Sequence, residues 1–477
     1  MSLKQKAFTG VKWVALANIF QQILSLVSIV IFAKLLSPDD FGTFSILMVF
    51  TGFLAIFSDM GTSAALIYVE KPSEKLLSSI FYLNLFIGAT LATGLILFSS
   101  SIAGYFENPQ LKELLQIISV NFIIISFGIV QRTLLQKSIE FKHLSLINSL
   151  ALLAGLISGL TAAYNGFGVY SLIIQIIITS LLGTGLIWYY ASWRPQWYFS
   201  LGEIKKIWKY TSNLSVFTII NYFSKSADNF LIGKYLSMSA LGVYSIAYRI
   251  MLYPLQNIST ILMRVLFPVF STLQNDDEKF KKIYLRVIFY ISLVAFPIMT
   301  GLMATADILT DVLFGDKWQG LAMLLIILAP TGMMRSIFRT VGSIYMAKGS
   351  TDIQLKVGTV NAIVIVFGFI VGLNWGVNGV AISYLASHLI MLYPVFKFSW
   401  GQIGLSVKDG LAEITPVFII STLMGLGVYF SDLLLFSGIE SQLFRLVLMV
   451  ILGIALYLIM IKIRYGSIKM LINELKK

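Results

Sequence analysis

The chain has 477 residues, 57% of them hydrophobic and 12% charged, with a mean hydropathy of +0.86. A soluble protein would carry roughly a quarter charged residues, so this composition excludes a soluble domain and indicates a polytopic membrane protein. With no cysteine and only His143 and His388, there is no disulfide framework, thiol nucleophile or metal centre, and the expectation is no cofactor and no metal. The formal charge of +13 would suit nucleic acid, but its distribution along the chain decides otherwise.

A membrane-crossing helix needs about 20 apolar residues. The first such run, 11–36, follows Lys4, Lys6 and Lys12 and has no small-residue cleavage motif, so it reads as a retained span and not a signal peptide. Thirteen more follow at 44–69, 77–103, 114–135, 144–164, 169–190, 214–235, 241–267, 287–313, 321–346, 357–373, 377–398, 414–430 and 443–463. The expected fold is therefore an all-α integral membrane protein with 14 transmembrane helices. If the N-terminus is cytoplasmic, the two tails and the alternate connections hold 25 of the 35 basic residues. The opposite connections hold four, Lys34, Lys112, Lys234 and Lys317. That bias places both termini in the cytoplasm and makes the basic charge a matter of topology, with no nucleic-acid partner. The tail from Arg464 places Ile468, Leu471, Ile472 and Leu475 on one face, as in an interfacial helix.

The chain also repeats itself. Residues 31–46, IFAKLLSPDDFGTFSI, return at 231–246 as LIGKYLSMSALGVYSI, with Lys34/Lys234, Leu36/Leu236, Ser37/Ser237, Gly42/Gly242, Ser45/Ser245 and Ile46/Ile246 identical. Six spans separate the copies, so both halves enter the membrane from the same side and form a parallel repeat, as in transporters that bind substrate between repeats. The expected units are an N-terminal six-helix lobe (1–192), a cytoplasmic linker (193–210), a C-terminal six-helix lobe (211–400), and two additional helices with an amphipathic tail (401–477). Gly155/Gly159 and Gly368/Gly372 have the spacing of close helix packing.

Ionisable residues within apolar spans are costly, and each is a functional hypothesis by default. Span seven carries Asn221, Lys225, Asp228 and Asn229 on one face; the alternative is a local Lys225–Asp228 pair that closes helix packing. Span one carries an uncharged polar stripe that includes Asn18, Gln21 and Gln22. Arg335 and Arg339 stand one turn apart in span ten, and paired guanidiniums suit a diphosphate. Against this stands snorkelling to the interface, as for Arg132 and Arg264. Arg249 in span eight is either a cavity cation or an aromatic-packed anchor. Asp59 either couples a proton or sodium ion or caps a helix broken at Gly61. Asp228 is the second candidate for ion coupling.

Several stretches resemble a known family. Leu35–Leu36–Ser37–Pro38–Asp39–Asp40–Phe41–Gly42 is similar to the "LLSPxDFG" signature of bacterial polysaccharide exporters. These O-antigen-type flippases belong to the multidrug/oligosaccharidyl-lipid/polysaccharide flippase (MOP) superfamily. Gln136 to Lys142, Gly166 to Leu172, Asp228 to Gly233, Leu241 to Arg249 and Phe314 to Trp318 match further family segments in order, over roughly residues 1–400. The nearest likeness is to the colanic-acid and teichuronic-acid exporter branch. The resemblance implies two six-helix lobes around a central cavity and alternating access. It also implies outward movement of a polyprenyl-diphosphate-linked oligosaccharide across the bacterial inner membrane, for lipopolysaccharide or exopolysaccharide export. The partners it implies are that substrate, membrane lipids, a polysaccharide polymerase and other assembly proteins, with the chain working as a monomer. A drug or cell-wall-precursor carrier on the same fold is the alternative, and the basic residues argue against cationic drugs. A membrane polymerase or ligase is a further class, but neither paired carboxylates, a nucleotide-binding glycine motif nor a nucleophile–base set occurs, so no enzyme is expected.

Overall fold

A computed structural model describes the backbone of residues 3–59 and 61–466, and the side chains of these except 3–12, 15, 206–221, 224, 255–269 and 271. The expected interfacial tail beyond 466 and the side chains of Asn221 and Arg264 lie outside the described residues. Helices are what an apolar chain can form in lipid, because each satisfies its own backbone polar groups. In chain order they are α1 (Leu3–Leu35), α2 (Pro38–Asp59), α3 (Thr62–Tyr68), α4 (Glu74–Tyr105), α5 (Gln110–Ser126), α6 (Ile129–Lys137), α7 (Phe141–Tyr164) and α8 (Tyr170–Tyr190). There follow α9 (Leu201–Tyr235), α10 (Met238–Thr272), α11 (Asp277–Ala304), α12 (Ala306–Leu313), α13 (Leu321–Lys348), α14 (Thr351–Gly372), α15 (Gly376–Trp400), α16 (Val407–Ser431) and α17 (Gln442–Tyr465). Among the described residues, 10 stretches are long and apolar enough to cross a membrane, or up to 11 if the bent pair α5 and α6 is one span.

The helices of the apolar runs 44–69 and 114–135 are each interrupted. The α2 helix stops at Asp59 and α3 restarts at Thr62, with Gly61 between them at φ 75°, a left-handed conformation that glycine adopts without strain. The α5 and α6 axes meet at 42° around Phe127 and Gly128, a bend that the largely apolar run 114–135 does not announce. The α9 helix begins at Leu201, so the second part of the segment read as linker is helical.

The chain forms two compact units, Met1–Gly242 and Val243–Lys477, and the division falls inside α10. In the first unit α4 packs on α5, α7 on both α8 and α1, and α2 on α9. In the second, α14 packs on α15, and α11 lies against α13 and α16. The small-residue pairs do what their spacing indicates. A Cβ on Gly159 of α7 would lie 2.8 Å from Gln175 Cβ of α8, and one on Gly372 of α14 would lie 2.6 Å from the Gly379 carbonyl of α15.

The repeated motif builds a turn of known chemistry. Ser37 Oγ accepts from the Asp40 backbone N–H at 3.2 Å, and Asp40 Oδ2 accepts from the Ser37 N–H at 2.9 Å and Ser37 Oγ at 2.7 Å. This is a reciprocal capping box, with Pro38 as the first residue of α2. The other Asp40 oxygen accepts from the Val169 N–H at 3.1 Å, tying the first signature to the turn before α8. In the second copy Ser237 Oγ accepts from the Ala240 N–H at 3.1 Å, and alanine in place of the acid leaves half of the box.

The two copies also cross reciprocally. A Cβ on Gly42 would overlap the Met238 carbonyl oxygen, and a Cβ on Gly242 would overlap the Pro38 carbonyl oxygen. In the repeat alignment Pro38 corresponds to Met238 and Gly42 to Gly242. Each copy therefore presents the same glycine to the same carbonyl of the other, the local signature of a twofold relation.

Candidate functional site

In the first unit, Asp59 sits at the break between α2 and α3. Its Oδ1 accepts from Thr62 Oγ1 at 2.7 Å, from the Ser63 N–H at 2.9 Å and from Ser63 Oγ at 2.9 Å. Thr133 Oγ1 of α6 lies 3.0 Å from Ser63 Oγ. At the other end of α3, Lys137 Nζ donates to the Leu66 carbonyl at 2.9 Å and to that of Val69. Acid at the start and base at the end complement the helix dipole. This geometry is that of the cap named above as one of Asp59's two readings.

Asp228 of α9 is 2% exposed, and its Oδ1 accepts from the Asn229 N–H at 2.7 Å, whereas Lys225, three residues earlier, is exposed. Tyr222 on the same helix donates to the Val49 carbonyl of α2 at 2.7 Å. Gln21 and Gln22 are half-buried, and Gln21 Nε2 donates to Ser149 Oγ of α7 at 3.1 Å. Arg132 donates from Nη2 to Asn148 Oδ1 at 3.0 Å.

The second unit holds a denser constellation. Arg335 of α13 is half-buried, and its Nη1 donates to Tyr248 Oη of α10 at 2.5 Å and to Tyr384 Oη of α15. Its guanidinium carbon lies 5.5 Å from the Tyr248 ring centre and 5.8 Å from that of Tyr384, within cation–π range of both. Three helices thus converge on one cation. A charge at mid-membrane costs about 3 kcal/mol or more. Hydrogen bonds to a charged group return about 1.5–3 kcal/mol each, so two phenols are enough to hold Arg335 inside the protein.

Behind Tyr384, the buried His388 has Nδ1 2.9 Å from the Tyr384 carbonyl, which fixes the proton on that nitrogen because a carbonyl can only accept. Its ring meets Tyr384 edge-on at 4.5 Å and stacks on Phe338 at 5.8 Å. Arg339, one turn beyond Arg335, and Arg249, next to Tyr248, are both exposed. The unit therefore presents one clamped and two exposed guanidiniums on α13 and α10, donors suited to the oxygens of a phosphate. Tyr248, Tyr384 and His388 carry no assignment from sequence. Tyr248 stands in a quoted motif beside Arg249, but nothing along the chain links it to Tyr384, 136 residues away.

A family model described as "Polysaccharide biosynthesis protein" matches residues 31–323, which include both copies of the repeat and α10 with Tyr248 and Arg249, and end before Arg335. The chain belongs to this family. It is 27% identical over 437 residues to the lipopolysaccharide biosynthesis protein WzxC of Escherichia coli (strain K12), covering 89% of each chain. To the teichuronic acid biosynthesis protein TuaB of Bacillus subtilis (strain 168) it is also 27% identical, over 74% of this chain and 73% of the relative. Among solved structures it resembles the lipid II flippase MurJ in an inward closed conformation, with a TM-score of 0.78, 20% identity and coverage of 94% and 98%. A multidrug resistance MATE family transporter of the MOP superfamily, inward-facing, matches at a TM-score of 0.61, with 16% identity and coverage of 80% and 94%. At these identities the two structures establish the fold alone.

Proposed function

We propose that this family member is a flippase that moves a polyprenyl-diphosphate-linked oligosaccharide outward across the bacterial inner membrane by alternating access, for surface polysaccharide biosynthesis. Its relatives' names, in lipopolysaccharide and teichuronic acid biosynthesis, and the MurJ-like fold support that reading. The observation that carries it is Arg335 clamped by Tyr248 and Tyr384, with Arg339 one turn away and Arg249 adjacent to the clamp. A cation held in place by two phenols is pre-organised for an anionic headgroup and repels a cationic drug.

In this reading Arg335, Arg339 and Arg249 of the second unit bind the diphosphate, and Lys225, Asn221, Gln21 and Gln22 of the first unit are its further substrate-binding candidates. Asp228, buried on α9, is the coupling carboxylate, and Asp59 serves as a helix cap. We further propose fourteen crossings, two six-helix lobes related by the repeat, two additional C-terminal helices, and both termini in the cytoplasm. The chain carries no catalytic step of its own and works as a monomer beside a polymerase.

Complementation tests the substrate class. In an exporter-deleted host carrying the matching sugar genes, Arg335→Ala and Lys225→Ala are expected to abolish surface polysaccharide at normal membrane abundance. Full export from both variants would remove the basic-site reading.

A further inference from the structure

One helix of the first unit belongs by sequence to the second half. The α9 helix runs into the second copy of the motif just as α1 runs into the first. Yet α1 packs on α7 of its own half, whereas α9 packs on α2, α3 and α4 of the other, and the first unit extends to Gly242. Lys234, a motif lysine that the export reading does not use, fastens the end of α9 there. Its Nζ donates to the Tyr105 carbonyl at 2.7 Å and to Glu107 Oε1 at 3.1 Å, and lies 4.8 Å from the Tyr105 ring centre. One turn earlier, the ring of Phe230 meets those of Phe106 at 5.3 Å, Tyr105 at 5.8 Å and Phe50 of α2 at 6.5 Å, centre to centre. Glu107 has φ 52°, in a turn that the Asn108 N–H closes on the Ala103 carbonyl at 3.0 Å, a helix C-terminus that glycine most often fills.

We propose, resting on the alternating-access reading above, that Lys234, Glu107, Tyr105 and Phe230 form a latch that holds this end of α9 on the first half in one state of the cycle and parts in the other. Three features make the contact a latch and not a permanent seam. The ion pair is open to water, with the Lys234 side chain 22% and that of Glu107 83% exposed, and such a pair biases an equilibrium by only about fivefold or less. The Tyr105 carbonyl belongs to the last turn of α4, where a cation complements the helix dipole and water can replace it. Glu107 keeps a left-handed backbone that a side chain rarely adopts, and what that conformation provides is a carboxylate aimed at Lys234. The charge distribution assigns this end of α9 to the outside.

The chain has no native cysteine, so introduced pairs test the latch directly. Glu107→Cys with Lys234→Cys, joined by a short bis-methanethiosulfonate linker that a reductant cleaves, should export before linking, fall to background once linked, and recover on reduction. Glu107→Cys with Lys112→Cys takes up the same reagent between α4 and α5 and should export throughout. Full export from the linked 107–234 pair would overturn the latch. A second measurement does not depend on the transported substrate. Spin labels on Gln110→Cys and Tyr235→Cys, both exposed positions that leave the latch residues in place, should give a short and a longer distance in the purified full chain in lipid nanodiscs. Lys234→Ala should raise the ratio of long to short by up to about fivefold, and Lys234→Arg should keep it near that of the unaltered chain. A single distance that Lys234→Ala leaves unchanged would also overturn the latch. If the unaltered chain did not restore export while the two distances still shifted, the substrate reading would fall and the latch would stand.

Discussion

At the scale of single residues, the account turns on what surrounds each intramembrane charge. Arg335 was legible as a candidate from one fact, a guanidinium well inside an apolar run. Its partners were not, because the contact joins α10, α13 and α15, and no spacing rule reaches across 136 residues. The phenols act by positioning the guanidinium. Tyr248→Phe with Tyr384→Phe should leave the rings and the cation–π contacts, remove both acceptors, and lower export about tenfold or more at unchanged abundance. The change should appear in the substrate concentration needed for half-maximal export before it appears in the maximal rate. Arg335→Lys should restore part of the activity lost in Arg335→Ala, since it keeps the charge and loses the planar fork. Asp59 makes the opposite case. Among the described residues its side-chain bonds reach the first turn of α3, so Asp59→Asn, whose amide oxygen can still accept, should export normally, whereas Asp59→Ala should lose about 1–2 kcal/mol of stability. Loss of export in a stable Asp59→Asn protein would assign the carboxylate to ion coupling instead.

At the scale of elements, the strongest sequence signal was the repeat, and the structure gives its residues two physical jobs. Ser37 and Asp40 cap α2, and Asp40 also anchors the turn before α8. Gly42 and Gly242 let each copy's backbone approach the other's carbonyl without a side chain between. Gly42→Ala and Gly242→Ala should each cost roughly 1–3 kcal/mol by overpacking. Gly94 in mid-α4 has nothing within 4 Å of an added Cβ, and Gly94→Ala should be neutral or slightly stabilising. Thermal unfolding in detergent compares the three, and an unaffected Gly42→Ala protein would dismiss the crossing. The break at Gly61 was signalled by Asp59 and Gly61 in an apolar run. The bend at Gly128 was not, because an uncharged glycine in such a run reads equally well as packing.

At the scale of the whole molecule, hydropathy fixes how much of the chain meets lipid, since each crossing must be apolar for about 20 residues. Orientation rests on charge alone. The chain has no native cysteine, so single cysteines at Lys71, Asn165 and Asn275 can be labelled in intact cells without background. Only the Asn165 position should react, and labelling at Asn275 would reverse the assigned topology. The substrate was the least legible property. A basic site in the membrane reads as a preference for anions, and the step from anion to lipid-linked glycan came through family membership.

The most direct test of that step is transbilayer movement in purified proteoliposomes. A polyprenyl diphosphate carrying a fluorescent oligosaccharide would be placed in one leaflet, and its arrival in the other read by quenching with a membrane-impermeant reagent, with and without a proton or sodium gradient. The account predicts movement by the unaltered chain, background movement by Arg335→Ala at equal reconstitution, and an intermediate rate for Arg335→Lys. Movement by Arg335→Ala at the rate of the unaltered chain would contradict it.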